Sequence, residues 1–131
     1  YYGVISGADN FQKSLRACRS NINNALMRDE IKLKMEDFFE STVEQGTHVV
    51  FNPPYGERLL IGINEFYQKI GDTLKHNYQG CSVWLISSDI ENLKMIGLKP
   101  SKKIKVYNGK LECRFLRFDI YEGSKKSSKQ I

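Results

Sequence analysis

The chain has 131 residues, of which 40% are hydrophobic and 27% are charged, and its net charge is +5. This length and composition predict one globular domain with a single core. No apolar run is long enough to cross a bilayer and no signal-peptide pattern is present, which excludes membrane-spanning classes and predicts a soluble cytoplasmic protein. We expect a folded domain over residues 1–122 and a disordered, basic, low-complexity tail over residues 123–131.

Cysteine and histidine are too few and too scattered to suggest a disulfide framework or a metal site. The three cysteines are Cys18, Cys81 and Cys113, with no C-x-x-C pair, and the histidines are His48 and His76. Cys81 and Cys113 fall in strand-like runs, which favours buried, reduced thiols. We therefore predict no metal cofactor.

The first third of the chain predicts a strand, a helix and a second strand. A short apolar run over residues 4–8 ends at Asp9, and Asn10 is a plausible N-cap. Apolar residues then recur every three or four positions, which predicts an amphipathic helix over about residues 11–26. Residues 31–35 alternate between apolar and basic side chains, as in an edge strand with one solvated face.

The remaining elements alternate between apolar runs and amphipathic segments. Residues 48–51 are continuously apolar or semi-apolar, which predicts a fully buried, central parallel strand. Four further elements follow in order: a helix from Ile63 to about Leu74 after Gly62, a buried strand over Cys81–Ser87, a short helix over Asp89–Ile96, and a hairpin of residues 103–107 and 111–121 around Asn108-Gly109. This order predicts an α/β fold with a doubly wound, mostly parallel sheet and a C-terminal antiparallel hairpin.

Two acidic positions follow predicted parallel strands, where open α/β sheets bind their ligands. Asp9 could accept hydrogen bonds from ribose hydroxyls, although an Asp that caps a helix start fits equally well. Asp37 could accept the exocyclic amine of an adenine, and the Phe38 ring could pack on the face of that base. An Asp in a solvated loop is the simpler explanation for this second motif.

The segment Asn52-Pro53-Pro54-Tyr55 is the most specific motif in the chain. Neither proline can donate to a sheet ladder, so the strand ends here and Asn52 stands at its carboxyl end. The Asn side-chain oxygen and a proline carbonyl offer two acceptors on a rigid turn to the two N–H groups of a planar amine. Such a grip would orient the nitrogen lone pair toward an incoming methyl group, while Tyr55 stacks on the base.

Up to about Tyr121, the chain resembles the S-adenosylmethionine-dependent RNA methyltransferases that carry a THUMP domain and methylate guanine N2 in large-subunit rRNA or tRNA. Four segments carry the resemblance: Ile5-Ser-Gly-Ala-Asp9 with the following Leu15-Arg-Ala-Cys-Arg-Ser-Asn21, the segment Val49-Val-Phe-Asn-Pro-Pro-Tyr-Gly-Glu-Arg-Leu59, Leu98-Lys-Pro100, and Asn108-Gly-Lys-Leu-Glu-Cys-Arg-Phe-Leu116. The resemblance implies a Rossmann-like methyltransferase sheet, S-adenosylmethionine as cofactor and RNA as partner.

The same resemblance implies roles for individual residues. Asp9 would bind the cofactor ribose, and Asp37 with Phe38 would contact its adenine. The segment Asn52, Pro53, Pro54 and Tyr55 would be catalytic, with Asn52 also beside the cofactor. Arg58 would contact RNA, although an ion pair with Glu57 is an equal alternative.

Two features of the family are absent from this sequence. There is no strand-turn-helix with a G-x-G, the turn that lets backbone approach a cofactor closely, and there is no THUMP domain. The resemblance places the lost first strand between the strands that end at Asp9 and Asn52, so its absence would leave two unpaired edges. We therefore expect this chain alone to be an inefficient enzyme that depends on upstream sequence or another chain.

Two other functions are compatible with the motifs. Adenine N6 and a glutamine side-chain amide also present a planar nitrogen to an Asn-Pro-Pro-Tyr turn. A non-catalytic interaction module is the second alternative, and the missing Gly-rich turn favours it.

Overall fold

The computed structural model describes residues 3–54 and 62–122, which divide into two compact units. The first unit, Tyr1–Ser41, contains strand β1 (Ile5–Asp9), helix α1 (Gln12–Asn24) and strand β2 (Ile31–Met35). The second unit, Thr42–Ile131, contains β3 (His48–Phe51), α2 (Ile63–Asn77), β4 (Ser82–Ser87), a 3₁₀ helix (Asn92–Ile96), β5 (Lys102–Asn108) and β6 (Leu111–Asp119).

In the first unit, β1 and β2 form a parallel pair that runs from Ile5 opposite Ile31 to Asp9 opposite Met35. Helix α1 contacts both strands and buries Leu15. The predicted N-cap Asn10 is wrong, because the helix begins after Phe11 and the Asp9 side chain accepts the Phe11 N–H at 2.8 Å. The Asp9 carboxylate at the end of β1 therefore holds the turn that leads into α1.

In the second unit, the strand order is β3-β4-β6-β5. Strands β3 and β4 are parallel, whereas β6 runs antiparallel to both β4 and β5. The predicted hairpin is confirmed, with Asn108 paired to Leu111, so its two-residue turn is Gly109-Lys110 rather than Asn108-Gly109. Gly109 has a φ of +64°, which glycine adopts without steric cost.

The core of the second unit lies on one face of its sheet. Buried residues come from α2, from β4 and β6, and from the 3₁₀ helix: Tyr67, Ile70, Leu74, Val83, Leu85, Leu116, Phe118 and Ile96. Exposure alternates along β4, because Val83, Leu85 and Ser87 are buried whereas the residues between them are half-buried. The other face carries a Trp84–Phe115 ring pair with centroids 4.7 Å apart.

The prediction that residues 48–51 form a fully buried, central strand is wrong for the part of the chain that the structure describes. Strand β3 pairs only with β4 among these residues, and the Val50 side chain is 67% exposed. A run of apolar residues indicates that a strand could be buried. The strand is fully buried only if other elements cover both of its edges and both of its faces. Strand β1 likewise pairs only with β2 within the described ranges.

The three thiols are free, with Cys81 and Cys113 buried and Cys18 exposed, as the sequence predicts for the two strand cysteines. Among the described residues, none of the helices has the length and apolar character that a bilayer crossing requires.

A buried hydrogen bond joins α2 to the carboxyl end of β4. The Tyr67 and Ser87 hydroxyl oxygens lie 2.7 Å apart, and Ser87 Oγ also accepts the Asp89 N–H at 3.0 Å. Both Tyr67 and Ser87 are completely buried, so neither hydroxyl can exchange its partner for water. This bond fixes the helix against the strand end that stands beside the end of β3.

Helix α2 approaches the 3₁₀ helix so closely that only glycine fits at position 71. A Cβ built on Gly71 would lie 1.8 Å from the Ile96 carbonyl oxygen. We expect Gly71→Ala to lower the free energy of unfolding by about 1–3 kcal/mol, because the steric cost exceeds the better helix propensity of Ala. Urea unfolding would measure this, with the exposed α2 variant Gln68→Ala as a control within ~0.5 kcal/mol of the parent. An unchanged midpoint in Gly71→Ala would contradict the close packing.

Removal of the Tyr67 hydroxyl should destabilise the chain, because Ser87 Oγ then loses a partner inside the core. We expect Tyr67→Phe and Ser87→Ala each to lower the free energy of unfolding by about 1–2 kcal/mol. The double variant should cost less than the sum of the two, since both remove one bond. Tyr107→Phe serves as the control, because it also removes one hydroxyl, but the long bond of that hydroxyl to Glu112 is exposed to water and should contribute little. Strictly additive losses would show that the two hydroxyls do not act as a pair.

Candidate functional site

The carboxyl ends of β1 and β2 bring two acidic positions to one edge of the parallel pair. Asp9 is the last residue of β1, and its carbonyl oxygen accepts the Glu36 N–H at 3.1 Å, one residue before Asp37. Both carboxylates are exposed. The sequence predicts that Asp9 and Asp37 each follow a strand, and the parallel pairing of β1 with β2 places them at neighbouring strand ends.

Each carboxylate uses one oxygen to hold its own turn. Asp9 Oδ1 accepts the Phe11 N–H at 2.8 Å, and Asp37 Oδ1 accepts the Phe39 N–H at 2.9 Å. Among the described residues, the second carboxylate oxygen of each has no hydrogen-bond partner. The structural role of Asp9 and a ligand-binding role are thus compatible, because a carboxylate has acceptor sites on both oxygens.

The segment after β2 forms a compact turn around Asp37. Ser41 Oγ donates to the Asp37 carbonyl oxygen at 2.7 Å and lies 3.1 Å from Glu36 Oε2. Phe38 is half-buried and packs edge-on against Phe39, with ring centroids 5.3 Å apart. Phe38 is therefore an ordered, partly accessible ring beside the Asp37 carboxylate. An adenine could be held there by a carboxylate on its amine and a ring on its face.

In the second unit, Asn52, Pro53 and Pro54 directly follow the last residue of β3. Asn52 and Pro54 are exposed, whereas Pro53 is buried. The buried ring anchors the turn, so the residue before it stands at the open edge of the sheet. The arrangement fits a rigid presentation of the Asn52 side chain to a ligand, because proline restricts both its own backbone and that of the residue before it.

The parallel pairing of β3 with β4 fixes what stands beside this turn. Phe51 is opposite Leu85, so Asn52 follows at the level of Ile86, and Pro53 follows at the level of Ser87. The buried Tyr67–Ser87 bond therefore holds the end of β4, the strand next to the Asn-Pro-Pro turn. Sequence reasoning missed this bond. Tyr67 reads as one apolar position of α2, and no sequence pattern indicates that its hydroxyl meets Ser87.

The candidate residues divide between the two compact units, and two of them are not covered by the structure. Tyr55 and Arg58 lie outside the described residues. Asp9, Asp37 and Phe38 belong to the first compact unit, whereas Asn52, Pro53 and Pro54 belong to the second. The structure thus assembles two groups of candidate residues, each at the carboxyl end of a parallel strand pair.

Comparison with solved structures confirms the predicted fold class. A structure described as a methyltransferase complexed with SAH matches 92% of this chain and 32% of its own, with 28% sequence identity and a TM-score of 0.78. A Listeria monocytogenes protein described as a predicted N6-adenine-specific DNA methylase matches 92% of this chain and 30% of its own, with 26% identity and a TM-score of 0.70. The chain is thus part of a Rossmann-like methyltransferase fold.

Sequence comparison leads to the same family. The ribosomal RNA large subunit methyltransferase K/L of Shewanella loihica is 36% identical over 122 residues, which are 90% of this chain and 17% of that protein. The chain therefore spans less than a fifth of this curated relative. Residues 1–117 match the family described as the RMKL-like methyltransferase domain. Because this match covers most of its length, the chain belongs to the RMKL-like methyltransferase domain family.

Proposed function

We propose that the chain is the catalytic part of an S-adenosylmethionine-dependent RNA methyltransferase that acts on the exocyclic N2 of guanine in rRNA or tRNA. The observation that carries this proposal is the turn after β3, where Asn52 is exposed and Pro53 is buried at the carboxyl end of a parallel strand. The name of the Shewanella loihica relative, a methyltransferase of large-subunit ribosomal RNA, supports RNA as the acceptor.

Asn52, Pro53, Pro54 and Tyr55 form the proposed catalytic segment. The Asn52 side-chain oxygen and the Pro53 carbonyl oxygen accept the two N–H groups of the guanine amine, and Tyr55 stacks on the base. These contacts restrict the rotation of the amine and aim its lone pair, so the rate gain comes from positioning and electrostatics. Arg58 contributes a phosphate contact or pairs with Glu57.

Asp9, Asp37 and Phe38 are the proposed cofactor-binding residues, with Asn52 also beside the cofactor. The donor set fits, because each carboxylate keeps one oxygen without a described partner for a ribose hydroxyl or an adenine amine. When bound, S-adenosylmethionine supplies an electrophilic methyl group. The chain's own residues hold the nucleoside part of the cofactor and keep the acceptor nitrogen oriented. No metal ion takes part in this proposal.

The proposal concerns the complete protein rather than these 131 residues alone. Within the described ranges β1 and β3 each pair on one edge only, and Val50 is largely exposed. These open edges support the expectation that a further strand with a Gly-rich turn completes the sheet, and that the chain by itself is a poor enzyme. An upstream THUMP domain as the RNA-binding partner, and a cytoplasmic location, also stay predictions.

Asn52→Ala should abolish methyl transfer by the complete protein while leaving cofactor affinity nearly unchanged. We expect turnover to fall by about 100-fold or more, because the acceptor amine loses the group that orients it. Radiolabelled methyl transfer to RNA and calorimetry with S-adenosylhomocysteine measure the two quantities. Asn64→Ala, an exposed residue of α2, is the matched control. Undiminished turnover in Asn52→Ala would overturn the assignment of this residue.

Nucleoside mass spectrometry of the same treated RNA identifies the acceptor. The proposal requires N2-methylguanosine. N6-methyladenosine would replace guanine with adenine as the acceptor, and the similarity to the Listeria monocytogenes protein makes adenine the first alternative. Methylation of a glutamine side chain would leave the RNA unmodified and would be detected by mass spectrometry of a protein substrate. Absence of any transfer together with absence of cofactor binding by the complete protein would favour the interaction module.

Asp9→Asn should weaken cofactor binding without unfolding the first unit. The substituted amide keeps an oxygen for the Phe11 N–H but replaces the second acceptor with a donor, so we expect about 10-fold weaker binding of S-adenosylhomocysteine by the complete protein. Asp37→Asn should act similarly through the adenine amine. The control is Asp29→Asn, an exposed residue of the same unit. Equal affinities in all three variants would contradict the cofactor role.

A further inference from the structure

The β5–β6 hairpin carries the densest positive charge in the described part of the chain. Between positions 102 and 117 it has a single acidic residue, Glu112, against six basic ones: Lys102, Lys103, Lys105, Lys110, Arg114 and Arg117. Strand β5 is an edge of the sheet, and every residue in it except Val106 is exposed. The three lysines of β5 therefore face solvent, whereas Arg114 and Arg117 of β6 are half-buried.

Alternation along β5 collects part of this charge on one face, together with an aromatic ring. Lys105 and Tyr107 share this face with Arg114 and Glu112 of β6, which stand directly opposite them. Tyr107 is 62% exposed, and the Lys105 side chain is 55% exposed. We call Lys105, Tyr107 and Arg114 the hairpin surface.

Glu112 links the three members of the hairpin surface. Its carboxylate lies 3.2 Å from Lys105 Nζ and 3.5 Å from Arg114 Nη1, and the Tyr107 hydroxyl donates to it at 3.4 Å. The hydrogen bond from Lys105, followed by the charges of Lys105 and Arg114, lowers the pKa of Glu112 below its ordinary value. One carboxylate thus pre-positions two cations and a ring, and a net positive charge remains.

The register of the sheet places this surface at the same edge as the Asn-Pro-Pro turn. Pro53 follows β3 at the level of Ser87, which pairs with Arg114, and Arg114 pairs with Lys105. With strands about 4.8 Å apart, Arg114 stands roughly 10 Å and Lys105 roughly 14 Å from the end of β3. Tyr107 lies two residues farther along β5, beyond the last residue of β4.

We infer that the hairpin surface binds the strand of RNA next to the target nucleotide, with Lys105 and Arg114 on phosphates and Tyr107 stacked on a flanking base. The inference rests on the proposed function, because RNA is the substrate there. Proteins that bind single-stranded nucleic acid combine cations for the phosphates with exposed aromatic rings for the bases. Lysines on an edge strand also prevent sheet-to-sheet pairing. That role explains Lys103 and Lys105, but it does not require an exposed Tyr107 beside Arg114.

The test measures binding of a fluorescently labelled, single-stranded oligoribonucleotide with one guanine to the complete protein, across a series of salt concentrations. Lys105→Gln should weaken binding and reduce the salt slope by about 1, because one phosphate contact is lost. Tyr107→Ala should weaken binding about 5-fold or more with an unchanged slope, since stacking carries no counterion release. Lys102→Gln is the matched control, because Lys102 has the same charge but lies on the opposite face of β5.

The sign of the effect of Glu112→Gln is decisive. The Gln oxygen can still accept the hydrogen bonds that position Lys105 and Tyr107, but the negative charge that offsets Lys105 and Arg114 is lost, so RNA binding should become tighter and more salt-dependent. A purely structural role for Glu112 predicts no gain. Unchanged affinity and salt slope in Lys105→Gln, Tyr107→Ala and Glu112→Gln would overturn the inference. Losses equal to that of Lys102→Gln would do so as well, because they would show a diffuse attraction.

Kinetics separate this inference from the proposed function. Lys105→Gln and Tyr107→Ala should raise KM for RNA while kcat and cofactor affinity stay constant, whereas Asn52→Ala should lower kcat. If Asn52→Ala leaves turnover intact but the hairpin variants lose RNA affinity, the proposed catalytic role fails and the RNA surface stands. If Asn52→Ala is inactive but the hairpin variants bind RNA as the parent does, the catalytic role stands and the surface fails.

Discussion

The packing of α2 and the 3₁₀ helix against one face of the β4–β6 pair is the constraint on which the second unit depends. Val83 and Leu85 from β4 meet Leu116 and Phe118 from β6 on this face, and all four are buried. Their register fixes β4, and β4 in turn fixes β3 through parallel pairing. The position of Asn52 is therefore set by contacts made one strand away. This explains how an exposed residue on a lightly buried strand can still have a defined place.

The elements that the sequence predicts well are those whose signals are local. The alternation of apolar and basic residues marks β2 at the bounds that the structure shows, Ile31–Met35. The spacing of apolar residues likewise locates α1 and α2 to within a few positions. Asp9, Asp37 and Asn52 could be placed at strand ends because parallel strands align their carboxyl ends at one edge. Local pattern and sheet geometry together were enough for these residues.

The features that the sequence misses depend on contacts between distant segments. The burial of β3 depends on which strands flank it, and an apolar run contains no information about that. The close packing of Gly71 against the Ile96 carbonyl and the Tyr67–Ser87 bond each join residues about 20 or more positions apart. The predicted helix over Asp89–Ile96 is a shorter 3₁₀ helix, Asn92–Ile96. Asp89 accepts hydrogen bonds from the Asn92 backbone and side chain, which accounts for its later start.

The two faces of the hairpin differ in how their positive charges are used within the fold. On one face Arg117 is held by Asp119 at 3.0 Å and lies 5.7 Å from the Trp84 ring, so its charge is partly neutralised and its side chain covers an aromatic pair. On the other face Glu112 is shared between Lys105 and Arg114. Arg117 is therefore accounted for by packing within the fold, whereas the hairpin surface keeps more positive charge than its one carboxylate balances. Because self-repulsion among exposed cations is unfavourable unless a polyanion relieves it, this charge beside the exposed Tyr107 ring supports the second face as the proposed RNA-binding side.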